Sequence, residues 1–241
     1  MASAWKFVPS LTPLLPHPIT NPLQVDPPSF FTAAHLRERG PSGTILRFLR
    51  YPPRTDLSEG STATTTAATA EDVRAGAHSD YGSLTLLFRL RGQPGLEILL
   101  RDGKTWSPVP VVPAGTEDDP APPVLVNIGD LLSYWTNGLL RSTVHRVVFP
   151  SGEGAAAAAA ATGGVKGEVD VGPRYSIAYF CHPFSGAELG VVPSERVKGY
   201  KGGLAEGNPY AERRVLTADE HLKMRYVDSF FCPCCLSPIG V

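Results

Sequence analysis

Three places in this sequence carry residues whose types and spacing could do chemistry: His78-Ser79-Asp80, a lone His145, and Arg174-Tyr175-Ser176. Two imidazoles and one carboxylate are the donor set that holds non-haem Fe(II) on one face and leaves the opposite positions open to substrates and O₂. A guanidinium two residues from a hydroxyl is a planar two-pronged donor beside a third donor, which suits docking of a carboxylate co-substrate. Each piece alone has a plainer reading. His-x-Asp is usually a strand end running into a turn, His145 a half-buried strand residue, and Arg174 a solvated edge charge. Their appearance together, in this order, points to an oxygen-activating iron enzyme.

The elements that must position these residues read as strands. Side chains at i and i+2 share a side of a strand, so His78 and Asp80 can face one metal while Ser79 points away. On a strand over 142–149, His145 shares a face with Thr143, Val147 and Phe149. Arg174, Ser176, Ala178 and Phe180 likewise share one face over 174–180. Thr44–Tyr51 is the first convincing strand, stopped by Pro52-Pro53. Ser83–Arg91 alternates, with Leu84, Leu86, Phe88 and Leu90 on one side. Leu96–Leu100 and Val124–Ile128 add two more. Short strands separated by Gly, Pro and Asp turns indicate a sandwich or jelly roll rather than β-α units. Phe30–Arg39 hints at a short helix, and Leu57–Asp72 reads as a solvent loop. Gly152–Gly172, with seven alanines at 155–161, reads as an insertion between strands. A C-terminal helix begins at the capping box Thr217…Glu220, with Leu222, Tyr226 and Phe230 at i, i+4 and i+8. It is expected to lie against the outside of the barrel without a chemical role, and His221 to be an ordinary first-turn residue.

With 241 residues the chain suits one domain with a sizeable core. Its 22 basic and 23 acidic residues leave no footprint for nucleic acid or a membrane surface. No apolar stretch approaches the ~18–20 residues of a membrane helix. The proline-rich start lacks the pattern of a secretory signal. Three of the four cysteines (Cys232, Cys234, Cys235) crowd the end, so they cannot staple the fold, and a flexible tail is favoured over a metal clip. A cytoplasmic monomer acting on a small molecule is expected.

Several segments together resemble a known family. They are Arg50-Tyr51-Pro52-Pro53, His78 to Leu87, Pro94 to Ile98, Asn127-Ile128-Gly129-Asp130, Trp135 to Gly138, Ser142 to Val147 and Pro173 to Ser176. In that order they are similar to the Fe(II)/2-oxoglutarate-dependent dioxygenases, in the branch of isopenicillin N synthase and the plant flavonoid and gibberellin oxidases. The resemblance implies an all-β core, a double-stranded β-helix (a jelly-roll, cupin-like barrel), with a C-terminal helix and a shortened N-terminal region. Residues 1–43 would be a proline-rich remnant of that region, 44–230 the barrel and 231–241 a cysteine-containing tail. By resemblance His78, Asp80 and His145 match the iron ligands, and Arg174 and Ser176 the grip on 2-oxoglutarate. Tyr51 matches a co-substrate partner, and Asn127 and Leu84 are candidate lining of the co-substrate pocket. Asp130 and Asn137 are read as turn formers, while Trp135 and Phe180 are left open between core and substrate wall. The implied reaction uses Fe(II), O₂ and 2-oxoglutarate to hydroxylate, desaturate or cyclise a small molecule of secondary metabolism, releasing succinate and CO₂. Three alternatives stay open: an isopenicillin N synthase-like iron oxidase that does not use 2-oxoglutarate, an inactive truncated binding barrel, and, least favoured, a zinc hydrolase.

Overall fold

The alternation of apolar and polar residues through the middle of the chain resolves, in the computed structural model, into eight strands; the structure describes residues 22–52, 72–149, 173–200 and 214–231. They are β1 Ile45–Tyr51, β2 Asp72–His78, β3 Leu84–Arg89, β4 Leu96–Leu99, β5 Trp106–Pro108, β6 Leu125–Ile128, β7 His145–Phe149 and β8 Arg174–Cys181. One sheet has the order β1-β8-β3-β6 and the other β2-β7-β4-β5. Every pairing is antiparallel. Successive strands mostly hop between the two sheets, with β4 and β5 the adjacent pair that stays in one, which is the winding of the expected jelly roll.

Register decides which side chains enter the barrel. Pairing of Arg47 with Ala178, Leu49 with Ser176 and Tyr51 with Arg174 puts these residues on the inner face. On β3, Thr85 lies opposite Phe180 and Asn127, and Leu87 opposite Ala178. The inward set of β3 is therefore Thr85, Leu87 and Arg89, while the more uniformly apolar set, Leu84, Leu86 and Phe88, faces outward. Leu84 and Leu86 on that outer side are buried, but Phe88 is exposed, as are Phe48 and Val126 on neighbouring strands.

The main apolar cluster packs beyond the end of this outer face. The helix α1 Phe30–Ala34 sets Phe30 and Phe31 against Trp135 of α2 Asp130–Trp135, with ring centroids 5.4 and 5.3 Å apart. Leu84, Leu131, Leu189 and Val197 of α3 Glu195–Lys198 complete it. Trp135, 1% exposed, is thus core rather than substrate wall. Asn137 adopts a left-handed backbone (φ 55°) just past α2, in keeping with its reading as a turn former.

The C-terminal helix, α4 Ala218–Phe231, starts at a reciprocal cap: the Thr217 N–H donates to Glu220 Oε2 (2.7 Å) and the Glu220 N–H to Thr217 Oγ1 (3.3 Å). His221 is fully buried, its ring 5.4 Å from that of Tyr134, because the first turn of α4 packs onto α2. Leu222 and Tyr226 face the barrel mouth rather than a remote outer wall. Among the described residues no helix is long and apolar enough to cross a membrane. Residues 1–21, most of the Leu57–Asp72 loop, the alanine-containing insertion and the cysteine tail lie outside the described residues, as does the Phe230 side chain.

Candidate functional site

The metal-type residues converge through one cross-strand pair. His78 closes β2, His145 opens β7, and the two are register partners with ring centroids 4.3 Å apart. Two register shifts on β2, between Val73 and Ala75 and between Ala75 and His78, bring His78 to this position. Such bulges re-aim a side chain at a site. Asp80 is not a second residue on the same strand, as alternation suggested. It lies in the loop after β2, whose course is fixed by backbone bonds from Asp130 N–H to the Asp80 carbonyl (2.7 Å) and from Gly129 N–H to the Ser83 carbonyl (3.0 Å). Gly129 permits that approach, since a Cβ there would stand 2.3 Å from the Gly82 carbonyl oxygen.

Hydrogen bonds then set the protonation and aim of each donor. His78 Nδ1 donates to the Gly76 carbonyl (2.7 Å) and His145 Nδ1 to the Thr143 carbonyl (3.0 Å). A carbonyl can only accept, so each Nδ1 carries the proton and each Nε2 keeps a lone pair. Burial, then the neighbouring His78, lowers the His145 pKa and favours its neutral, metal-binding form. Asp80 is buried. Its Oδ2 accepts from Thr85 Oγ1 (2.6 Å) and Asn127 Nδ2 (2.8 Å). Its Oδ1 is left facing His78 Nε2 at 3.9 Å and His145 Nε2 at 3.7 Å. The three donor atoms lie within 4.8 Å of one another. Bonds of ~2.1 Å to a common ion put neighbouring donors ~3 Å apart, so a small inward rotation of these side chains completes the geometry. Two neutral imidazoles and one carboxylate, with no thiolate, fit Fe(II).

Two compartments meet at this triad. The inner one, about 90 Å³, runs into the barrel and is lined by Tyr51, Asn127, Arg174 and Ser176, with Leu49, Leu87, Val147 and Ala178 among its apolar walls. Arg174 donates through Nε to the Pro94 carbonyl (3.0 Å), and its Cζ lies 5.4 Å from the Tyr51 ring centroid. Gly95 brings that carbonyl into place: its φ is +115°, and a Cβ would stand 2.4 Å from the Val148 carbonyl oxygen. Nearby, Arg89 donates through Nη1 to the Pro110 carbonyl (2.9 Å). Burial lowers the pKa of both guanidiniums, and the field of Arg89 adds to the effect on Arg174, yet neither loses its charge at any ordinary pH. Neither has a carboxylate partner among the described residues. Arg174, buried and without an acid among the described residues, suits the inner compartment to an anion. The outer compartment, about 290 Å³, opens above the triad and is lined by Arg47, Tyr81, Phe180, His182, Leu222 and Tyr226, among others. His78, Asp80 and Phe180 line both.

The structure therefore brings together His78, Asp80, His145, Tyr51, Asn127, Arg174 and Ser176. It does not bring Leu84, which points outward into the core because Thr85 takes the inward position on β3. Asn127 borders the inner compartment as expected, and its amide holds Asp80. Asp130 does more than shape a turn: its Oδ2 accepts from Ser79 Oγ (3.0 Å) and from Arg225 Nη2 of α4 (2.8 Å), tying the metal loop to the C-terminal helix. Sequence reasoning missed Thr85 and Arg89, whose signal was the odd-numbered register of β3. It also missed Arg47, His182 and Tyr226, which nothing short of the tertiary fold assembles.

Comparison with known proteins adds independent findings. The profile of the 2OG-Fe(II) oxygenase superfamily matches residues 42–183. The UPF0676 protein C1494.01 of Schizosaccharomyces pombe is 38% identical over 161 residues, covering 65% of this chain and 37% of that protein. The protein named validamycin A dioxygenase, from Streptomyces hygroscopicus subsp. limoneus, is 37% identical over 125 residues, covering 52% of this chain and 28% of its own length. The chain thus spans well under half the length of these curated relatives. Among solved structures, a Caulobacter crescentus protein of the 2OG-Fe(II) oxygenase family gives a TM-score of 0.58 at 30% identity, covering 93% of this chain and 57% of that one. A full-length Neurospora crassa protein solved in complex with alpha-KG and thymine gives 0.50 at 27% identity, covering 83% and 47%.

Proposed function

This chain belongs to the 2OG-Fe(II) oxygenase superfamily, and from that premise we propose that it oxidises a small organic molecule with Fe(II), O₂ and 2-oxoglutarate, on its own barrel and as a monomer. The observation that carries this reading is the meeting of the His78–Asp80–His145 triad with the Arg174–Ser176 pair in one inner compartment. When bound, iron with 2-oxoglutarate supplies oxygen activation, in which R–H, O₂ and 2-oxoglutarate give R–OH, succinate and CO₂. Desaturation or ring closure would use the same oxidant with water as the reduced product.

The chain's own residues do the positioning. His78 and His145 offer Nε2 lone pairs because their Nδ1 protons are committed to backbone carbonyls. Asp80 offers one oxygen because the other is held. Arg174 has both terminal nitrogens left for the distal carboxylate once Nε is bound to Pro94, and Ser176 adds a hydroxyl on the same face of β8. Tyr51 packs against the guanidinium and limits its swing. The apolar walls of the inner compartment lower the local dielectric around Arg174 and Ser176, which strengthens their polar contacts.

The test is an anaerobic Fe(II) titration with 2-oxoglutarate, following the visible metal-to-ligand charge-transfer band, in the parent, His78→Ala and Arg174→Ala proteins. The reading expects the band in the parent, its loss in the first variant and weaker co-substrate binding in the second. A folded parent that binds Fe(II) but gives no band refutes 2-oxoglutarate as co-substrate, and a folded parent that binds no iron refutes the reading whole.

A further inference from the structure

We propose that the outer compartment takes a carboxylate-bearing small molecule with an apolar or aromatic body, and that Arg47 selects it. This rests on the reading above, in which the inner compartment is filled by the co-substrate and the substrate must approach the triad from the other side.

Arg47 stands where barrel alternation calls for an apolar residue. It lies between Ile45 and Leu49 on the inner face of β1, opposite the buried Ala178. Its guanidinium carbon sits 5.6 Å from the Phe180 ring centroid, and Phe180 is also a wall of both compartments. Arg47 makes no hydrogen bond or ion pair with any described residue. An arginine on a convex surface needs none, because water serves it. Arg47 is likewise exposed to water, and what sets it apart is that it borders a concave space of about 290 Å³ that also reaches His78 and Asp80.

No acid in that space is available to it. Asp80 is the one carboxylate among the lining residues; its Oδ2 is taken by Thr85 and Asn127 and its Oδ1 faces the two imidazoles. Asp130, just behind, is held by Ser79 and Arg225. Among the described residues, then, no carboxylate occupies this guanidinium, and a planar fork matches an incoming carboxylate in two bonds at once.

The rest of the lining suits an uncharged body. Phe180 lies under the guanidinium, Leu222 adds an aliphatic wall, and Tyr226 stands edge-on to Tyr81 with centroids 5.5 Å apart. His182 is held neutral by burial, so it adds no second cation to compete for the carboxylate. A carboxylate on Arg47 with the body across Phe180 towards the triad leaves a C–H bond of that body as the part presented for oxidation.

The experiment uses the full chain loaded anaerobically with Fe(II) and saturating 2-oxoglutarate. Benzoate, phenylacetate and 3-phenylpropanoate are each compared with their primary amides by ligand-observed NMR titration, in the parent, Arg47→Gln and Arg47→Lys proteins. The expected result is at least one carboxylate bound about tenfold or more tightly than its amide by the parent. Arg47→Gln should abolish that preference, and Arg47→Lys should keep part of it. 2-Oxoglutarate affinity and the urea midpoint should stay as in the parent for both. Three results overturn the proposal: no carboxylate preferred over its amide, a preference that survives Arg47→Gln, or 2-oxoglutarate weakened by Arg47→Gln as much as the probe. If the parent fails to bind 2-oxoglutarate in a separate titration, the functional reading fails on its own, and the probe series without co-substrate still decides the role of Arg47.

Discussion

Thr85 is a residue whose removal should weaken metal binding although it touches no metal. Its hydroxyl donates to Asp80 Oδ2 at 2.6 Å, and the Asn127 amide donates to the same oxygen at 2.8 Å. Together they freeze the carboxylate with Oδ1 towards the two imidazoles. Thr85→Val keeps the shape of the wall and deletes one charge-assisted bond, worth about 1.5–3 kcal/mol. That loss frees the carboxylate's rotamer, which acts against a bound dication. Removing an outer partner of a metal ligand costs about 10–100-fold in affinity, or roughly 1.4–2.7 kcal/mol. We expect a Kd for Fe(II) or Co(II) raised within that range, and raised further in Thr85→Val/Asn127→Leu. Anaerobic titration calorimetry reads it, with the melting temperature of the metal-free protein as the fold control. A Thr85→Val protein that melts like the parent and binds metal within about twofold of it refutes the clamp.

Three further outcomes follow from the same contacts. Gly129→Ala should cost about 1–3 kcal/mol, seen as a lower urea midpoint, because the new Cβ meets the Gly82 carbonyl oxygen at 2.3 Å; an unchanged midpoint would mean the metal loop is not pinned there. Metal-free protein should lose stability in mild acid. His182, facing His35 and Asp80, and His221, facing Tyr134, Arg225 and His182, are both held down to about 4 by burial. The unfolded chain therefore takes up these protons first: stability is full above about pH 6.5, falls towards pH 4, and is lower by about 2 kcal/mol per histidine at pH 5. Urea midpoints at pH 7.5 and 5 check this, and His221→Asn should flatten the slope. Finally, Arg225→Ala should loosen α4 from the metal loop by cutting the 2.8 Å link to Asp130; faster amide exchange across Leu222–Tyr226 is expected, and exchange as slow as in the parent would sink that link.

The sequence was most legible where chemistry depends on parity along a strand. Arg174 and Ser176 were read on one face of a strand, and β8 presents them so, because pleat alternation is a local property. The jelly roll was readable from short strands between turn residues, and the Thr217–Glu220 cap from a four-residue pattern. Legibility failed where a neighbouring segment decides. β3 was read as alternating with its apolar residues on one side, and Leu84 of that side was offered as lining of the co-substrate pocket. Register with β6 and β8 turns the other side inward, setting Thr85 opposite Asn127 and Phe180. The His78–Asp80 pair was read as strand alternation, but a bulge and a loop pinned by Gly129 bring the two together. β2, with one β-branched residue beside Ala, Gly and charged residues, gave little strand signal, since its pairing with β7, rather than its composition, makes it a strand.

A single charge argument links the parts of the site. Inside the barrel Arg174 and Arg89 lack acidic partners among the described residues, at the mouth Arg47 lacks one, and between them stands one carboxylate already committed by two donors. Leaving cations unpaired costs stability in a folded chain, most steeply for those buried. Arg174 is offset when an anion enters the inner compartment, while the exposed Arg47 is served by water until a ligand carboxylate takes its place. The triad sits at the wall common to both spaces, where Phe180 separates them. Exchanging Arg47 for a neutral residue should therefore alter which molecule is oxidised, while exchanging Arg174 should alter whether oxidation starts at all.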